Sequence, residues 1–314
     1  MFSKDSVNFV FRNYKIKAEC ISVEHTQTTS RAKIKLGERC KIKDLTKYIP
    51  EIAFLLGQKY EPAIDHDYKN QEIIFTFISE SRDKVFLDKI MKHDSQFHIG
   101  QTYVGENVSL FMPDCPHILI GGSTGSGKTV LMKSIIKNIQ RLNADKKYTK
   151  DNIFIFDPKK NEFFNQNNSK VFSDIDSYIT FLDSLIKAMD YRIRFSNEDC
   201  KFDYKTVPPY FLIIDELSDI VMSDPSGEFK RKLCFLAQKC RSADIFIIAA
   251  TQRPAANIID GNIKANFPVR ITCRTASHID SKIILDEVGA EKLMGRGDAI
   301  MKMNGQLTRF QVAI

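Results

Sequence analysis

No stretch of this 314-residue chain is apolar for long enough to cross a bilayer. The longest runs, such as Ile52–Leu56 and Ile245–Ala250, fall far short of the roughly 18 residues that a spanning helix needs. A secretion signal is lacking too, because residues 1–5 lead straight into a charged, strand-like segment. The seven cysteines are an odd number, with no CxxC spacing and no histidine cluster beside them. That argues against structural zinc and against a disulfide framework. Cys115, Cys234 and Cys273 lie in or beside apolar segments, as small core residues do. Internal repeats and low-complexity tracts are missing as well. These absences leave a globular protein whose expected location is cytoplasmic.

What is present fits that class. The chain is 43% hydrophobic and 27% charged, the balance of a folded protein, and its length suggests two domains. A net charge of +7 is compatible with a polyanionic partner without requiring one. Residues 1–100 read as a small α+β domain without catalytic vocabulary. Alternation predicts strands at Asn8–Phe11, Lys15–Val23, Arg31–Leu36 and Glu72–Ile78. A helical stretch over residues 42–56 interrupts them, with Pro50 marking a kink or a second start. Residues 101–314 read as an α/β domain. Short apolar strands are predicted at His117–Gly121, Asn152–Asp157, Tyr210–Asp215, Phe246–Thr251 and Val269–Arg274, with helices around 128–142, 174–195, 228–240 and 278–288. Such alternation argues for a mostly parallel central sheet covered on both faces. Ligands collect at the carboxyl ends of such strands.

The clearest chemical signal is Gly122-Ser123-Thr124-Gly125-Ser126-Gly127-Lys128-Thr129, placed between an apolar strand and a helix. It fits GxxxxGK[ST], the phosphate loop of P-loop NTPases. The glycines let backbone N–H groups curl inward around a polyphosphate, and a helix N-terminus adds partial positive charge. The candidate nucleotide-binding set runs from Gly122 through Thr129 to Val130. Lys128 is expected against the β- and γ-phosphates, and the Thr129 hydroxyl on Mg²⁺. The ligand implied is ATP with Mg²⁺.

Two further strand ends carry polar residues. Tyr210-Phe-Leu-Ile-Ile-Asp215-Glu216 delivers an acidic pair. Asp215 suits the metal shell, and Glu216 suits a general base that polarises an attacking water. The plainer reading is an acidic pair that offsets a helix macrodipole. Ala250-Thr-Gln252-Arg253-Pro254 places a glutamine within reach of a γ-phosphate or of that water. Asp157-Pro-Lys159 ends another strand and faces the same cleft if the strands are parallel.

Together these segments resemble the motor region of the FtsK/SpoIIIE family of double-stranded DNA translocases. Further resembling words are Ala237-Gln-Lys-Cys-Arg241-Ser-Ala, Ile263-Lys-Ala-Asn266, Ile279-Asp-Ser281-Lys-Ile-Ile-Leu-Asp286 and Gly295-Arg-Gly-Asp298. The resemblance implies a RecA-like P-loop NTPase domain behind a small α+β domain. It also implies a homo-hexameric ring with ATP at subunit boundaries and duplex DNA in the channel. Arg241 takes the place of the family's arginine finger. Arg253, Lys264 and His278 fall where channel loops touch the phosphate backbone, although His278 stands where the family commonly has lysine. No membrane segment or winged-helix module is expected, so a membrane-bound partner of a DNA-transfer or segregation system would supply recruitment. Two other functions remain open at this level: movement of protein cargo in a specialised secretion system, and a nucleotide-gated DNA coupling scaffold.

Overall fold

The structure is a computed structural model that describes residues 2–26, 28–79, 84–92, 94–145, 152–160, 163, 169–197 and 208–314. It divides into two compact units, one of residues 1–84 with 101–106, the other of residues 85–100 with 107–314.

In the first unit, helix α1 (Lys4–Asn13) precedes strands β1 (Ala18–His25) and β2 (Thr29–Leu36). Helices α2 (Ile42–Thr46) and α3 (Ile49–Leu55) follow, then strands β3 (Ala63–Asp67) and β4 (Glu72–Ile78). The strands pair antiparallel in the order β1-β2-β4-β3. Pro50 sits in the first turn of α3, where its missing N–H breaks no helical bond. Asn8–Phe11 was expected as a strand and lies inside α1 instead. Val7, Val10 and Phe11 are buried at helical spacing, and a Ser3–Ser6 capping box starts the helix. The four-residue window Asn-Phe-Val-Phe is too short to separate period two from period 3.6. The Asn8 side chain also bonds the backbone N–H and C=O of Cys20 at 2.8 and 3.2 Å, tying α1 to the edge strand β1.

The second unit is built on one ten-stranded sheet among the described residues. Helix α4 (Leu87–Ile90), strand β5 (Gln96–Thr102) and strand β6 (Asn107–Phe111) come first. Next are β7 (His117–Gly121), α5 (Lys128–Asp145), β8 (Ile153–Phe156), β9 (Lys170–Phe172) and α6 (Ile175–Asn197). After them run β10 (Tyr210–Ile214), α7 (Leu217–Met222), α8 (Glu228–Lys239) and β11 (Ile245–Thr251). The chain ends with α9 (Gly261–Asn266), β12 (Val269–Cys273), α10 (His278–Leu285), β13 (Asp298–Met303) and β14 (Gln306–Val312). The sheet order is β6-β5-β14-β13-β12-β7-β11-β10-β8-β9. From β12 to β9 every pair is parallel, while β12, β13 and β14 pair antiparallel.

Both faces of the parallel part are apolar and covered. Ile118 and Ile120, Ile153 and Ile155, and Ile248 and Ala250 pack in one core with Leu131, Ile135 and Ile139 of α5. The alternate residues Leu119, Phe154, Phe156, Leu212 and Ile247 pack in a second core with α6 and α8. Period two on a two-faced sheet explains why these strands read as unbroken hydrophobic runs. Among the described residues, no helix is long and apolar enough to cross a membrane.

Candidate functional site

The register sets the site. Strand β11 stands between β7 and β10, pairing Thr251 with Gly121 on one side and Ala249 with Ile214 on the other. The carboxyl ends of three strands therefore finish in one row. The row carries the phosphate loop after β7, Gln252 after β11, and Asp215-Glu216 after β10. The acidic pair was read from the sequence as adjacent to the loop. One strand intervenes, and a lysine side chain spans the gap.

That lysine is Lys128, which opens α5 and is 3% exposed. Its Nζ donates to the Asp215 carbonyl oxygen at 2.9 Å and lies 3.3 Å from Asp215 Oδ1. The loop that carries it depends on Gly127, whose φ is +114°. A Cβ there would come within 2.4 Å of the Gly297 nitrogen, so only glycine fits the position. Asp215 is buried, and its second oxygen, Oδ2, has no hydrogen-bond partner among the described residues. A buried carboxylate oxygen left unfilled beside Lys128 and a helix N-terminus suits a hydrated divalent cation on a phosphate. The donor set therefore fits Mg²⁺ with a nucleoside triphosphate.

Glu216 is equally buried. Its Oε1 accepts from the Thr251 hydroxyl at 2.6 Å, and the Gln252 backbone N–H donates to Oε1 and Oε2 at 3.0 and 2.9 Å. Lys159 Nζ stands 3.8 Å from Oε2 and 3.8 Å from Asp219, so the Asp157-Pro-Lys159 word does face this cleft. Asp157 holds that turn by accepting the N–H groups of Lys159 and Lys160. The Gln252 side chain reaches the loop, where its Oε1 accepts from the Thr124 hydroxyl at 3.0 Å. Lys128, Asp215, Glu216 and Gln252 are thus one bonded group.

A cavity of about 460 Å³ opens over the loop, with Ser123, Thr124, Gly125, Lys128, Thr129 and Val130 on one side. Its volume suits a small-molecule ligand. The opposite side was not foreseen. Arg296 and Gly297, from the turn before β13, and Gln311 and Val312, from the end of β14, line it. The Gly297 N–H donates to the Ser126 carbonyl at 2.7 Å, and Gln311 Nε2 donates to the Arg296 carbonyl at 3.1 Å. The available signal was Gly295-Arg-Gly-Asp298, where Gly295, Arg296 and Gly297 all have positive φ. The word was noted, but nothing local says that the antiparallel extension folds its turn onto the phosphate loop.

The remaining candidates lie apart from this row. Arg241 is exposed in a 3-10 turn (Cys240–Ala243) just before β11, at the amino end of that strand. Seven residues of β11 separate it from the site, roughly 20 Å at strand rise. Arg253 follows Gln252 and is exposed. Lys264, in α9, is paired with Asp286 at 2.6 Å, and Arg270 binds the same carboxylate at 2.5 Å. Burial raises the Asp286 pKa, but the bonds from Lys264 and Arg270 outweigh it and leave the carboxyl below its ordinary value. His278 begins α10 and is exposed beside its capping residue, Ser277.

Comparison with known proteins agrees with this geometry. Residues 89–199 match the model of the FtsK/SpoIIIE family. The chain is 31% identical over 319 residues to the DNA translocase FtsK of Caldanaerobacter subterraneus subsp. tengcongensis, covering 92% of this chain and 43% of that one. It is 28% identical over 326 residues to the DNA translocase SftA of Bacillus subtilis, covering 95% of this chain and 34% of that one. The chain therefore spans less than half the length of these curated relatives. In fold it is similar to the pCW3 conjugation coupling protein TcpA, with a TM-score of 0.68 at 22% identity, over 99% of this chain and 94% of that one. The phosphate loop, the acidic strand end, the glutamine between them and these relatives together identify the chain as a member of the FtsK/SpoIIIE family.

Proposed function

We propose that the chain is the motor part of an ATP-driven translocase of double-stranded DNA. The observation that carries this reading is the bonded row of Lys128, Asp215, Glu216 and Gln252, in a chain 31% identical to a DNA translocase. Lys128 offers its ammonium group to the β- and γ-phosphates, and the loop backbone curls around them. Thr129 and Asp215 Oδ2 hold Mg²⁺, which when bound neutralises charge on the phosphates. Glu216 takes the proton of the attacking water. Its oxygens keep lone pairs beyond the bonds from Thr251 and Gln252. Gln252, tied to Thr124 on one side and Glu216 on the other, feels the γ-phosphate and passes its loss to Arg253.

Arg241 cannot reach its own chain's phosphates from the opposite end of β11. It serves a neighbouring subunit's ATP in a homo-hexameric ring, where a planar guanidinium suits the charge spread over a transferring phosphoryl group. Arg253, Lys264 and His278 meet the DNA backbone, with Lys264 exchanging Asp286 for a phosphate. Such contacts are blind to sequence and weaken with salt.

The test is steady-state ATP hydrolysis with and without linear duplex DNA over a salt series. Duplex DNA is expected to raise turnover several-fold at low salt, with the stimulation fading as salt rises. Glu216→Gln is expected to lower turnover by about two to four orders of magnitude, the scale of a general base, while leaving nucleotide binding intact. Turnover indifferent to duplex DNA at every salt sinks the DNA reading, and stimulation by an acidic peptide instead favours protein cargo.

A further inference from the structure

We propose that Ser218 and Thr251 form a two-hydroxyl hydrogen-bond switch that ties the state of the Glu216 carboxylate to the hold on the Arg253 segment. The inference rests on the reading of Glu216 as the base and of Arg253 as a substrate contact. Ser218 lies in α7, one residue beyond Leu217, and is 1% exposed; Thr251 ends β11 and is fully buried. The two hydroxyl oxygens are 2.8 Å apart. Thr251 also contacts Glu216 Oε1 at 2.6 Å, and Ser218 also contacts the Arg253 carbonyl oxygen at 2.8 Å. A continuous chain of short contacts therefore runs from the general base to the backbone of the segment after Gln252.

The hydrogens in this chain can be counted. Each hydroxyl carries one. Three contacts of hydrogen-bond length each need one: Thr251 with Glu216, Thr251 with Ser218, and Ser218 with Arg253. The Arg253 N–H, 3.2 Å from Thr251 Oγ1, adds a donor to Thr251 and fills none of the three. Two hydrogens cannot serve three contacts, so one stays unfilled and the arrangement has alternative states.

While Glu216 is a charged acceptor, it commands the Thr251 hydrogen, because a charge-assisted bond is the stronger one. Ser218 must then divide its hydrogen between Thr251 and the Arg253 carbonyl. Once Glu216 has taken up the proton of the attacking water, Oε1 becomes a weak acceptor. The Thr251 hydrogen turns to Ser218, and the Ser218 hydrogen goes wholly to the Arg253 carbonyl. The segment is held loosely in the first state and firmly in the second. No atom of the chain need move more than a hydroxyl rotation for the signal to pass. Ser218 and Thr251 are positioning residues in this scheme, and neither touches the reacting atoms.

The direct test uses Glu216→Gln as a neutral mimic of the protonated carboxyl and reads amide hydrogen exchange over residues 252–258. Exchange there is expected to slow about three- to tenfold in Glu216→Gln relative to wild type, the scale of one hydrogen bond. The effect is expected to vanish in the Glu216→Gln, Ser218→Ala double variant. Equal exchange in wild type and Glu216→Gln, or equal slowing with and without Ser218, overturns the switch. The second arm is ATP turnover. Ser218→Ala is expected to keep the DNA-free rate of wild type and to lose most of the stimulation by duplex DNA. Thr251→Ser, which keeps a hydroxyl, is expected to retain that stimulation. If Ser218→Ala lowers both rates by one factor, or keeps the full stimulation, the proposal fails. If wild type ignores duplex DNA, the DNA reading fails, and the exchange arm still decides on the switch.

Discussion

The Lys128 ammonium group is 3% exposed and the Asp215 carboxylate 1%, and they face each other at 3.3 Å. An ion pair this deep gains little net stability, because desolvation of both charges offsets their attraction. Removing one member is a different matter, since the other is left buried without a counter-charge. Lys128→Ala is therefore expected to lose nucleotide binding and also to destabilise the ligand-free protein, by about 3 kcal/mol. Lys128→Ala with Asp215→Asn should recover much of that stability without recovering binding. Thermal melts alongside titration with a fluorescent ATP analogue separate the two effects. A ligand-free Lys128→Ala protein as stable as wild type would show that the pair is not formed in solution. At this scale the sequence was informative where chemistry is local. Gly127, Lys128 and Thr129 state their role in consecutive letters. The hold of Thr251 on Glu216 does not show, because 35 positions separate them and only strand order brings them together.

His117 shows how one element is joined to another. It begins β7 and is 1% exposed, with Nδ1 accepting from the Ile247 N–H at 3.1 Å and Nε2 donating to the Ala237 carbonyl at 3.1 Å. The ring thus links β7, β11 and the end of α8, just ahead of the turn that presents Arg241. Both bonds need the neutral ring. Burial, opposed by those bonds and aided by the nearby Arg241 charge, lowers its pKa from 6.5 to about 4. The unfolded chain then binds the extra proton between those values, so stability rises with pH there and falls on acidification. From pH 7 to pH 5 this histidine alone should cost about 2 kcal/mol. His117→Asn, which cannot titrate, should start less stable yet flatten that part of the profile, as read by unfolding across pH. An unchanged slope would place the acid sensitivity elsewhere. The same scale explains what was and was not legible. Parallel strands with two buried faces announce themselves as apolar runs, and Tyr210–Ile214 and His117–Gly121 fall where they were expected. Strands β13 and β14 pass unnoticed because their exposed ends and mixed burial dilute the alternation. With them went Arg296, Gly297 and Gln311, the far wall of the nucleotide cavity.

For the whole molecule, the decisive geometry is the opposition of two ends of one strand. Gln252 leaves the carboxyl end of β11 in the phosphate row, whereas Arg241 precedes its amino end. A residue roughly 20 Å from its own site can serve catalysis only if a second copy brings its amino-end edge to the first copy's loop. That is a heterologous contact, and repeated by rotation it closes into a ring. The prediction concerns mixtures. Arg241→Ala protein keeps its loop but donates no guanidinium, and Lys128→Ala protein keeps the guanidinium but lacks a working loop. Each is expected to be nearly inactive alone, with a loss of about three to five orders of magnitude expected for a finger of this type. In an equal mixture, about a quarter of the boundaries join an intact loop to an intact Arg241 if subunits assort at random around a head-to-tail ring. ATP hydrolysis should therefore reappear on mixing, at up to a quarter of the wild-type rate per subunit, and should rise and fall with the mixing ratio, peaking at equal parts. A finger acting within its own chain predicts no recovery at any ratio, because neither kind of subunit holds both groups.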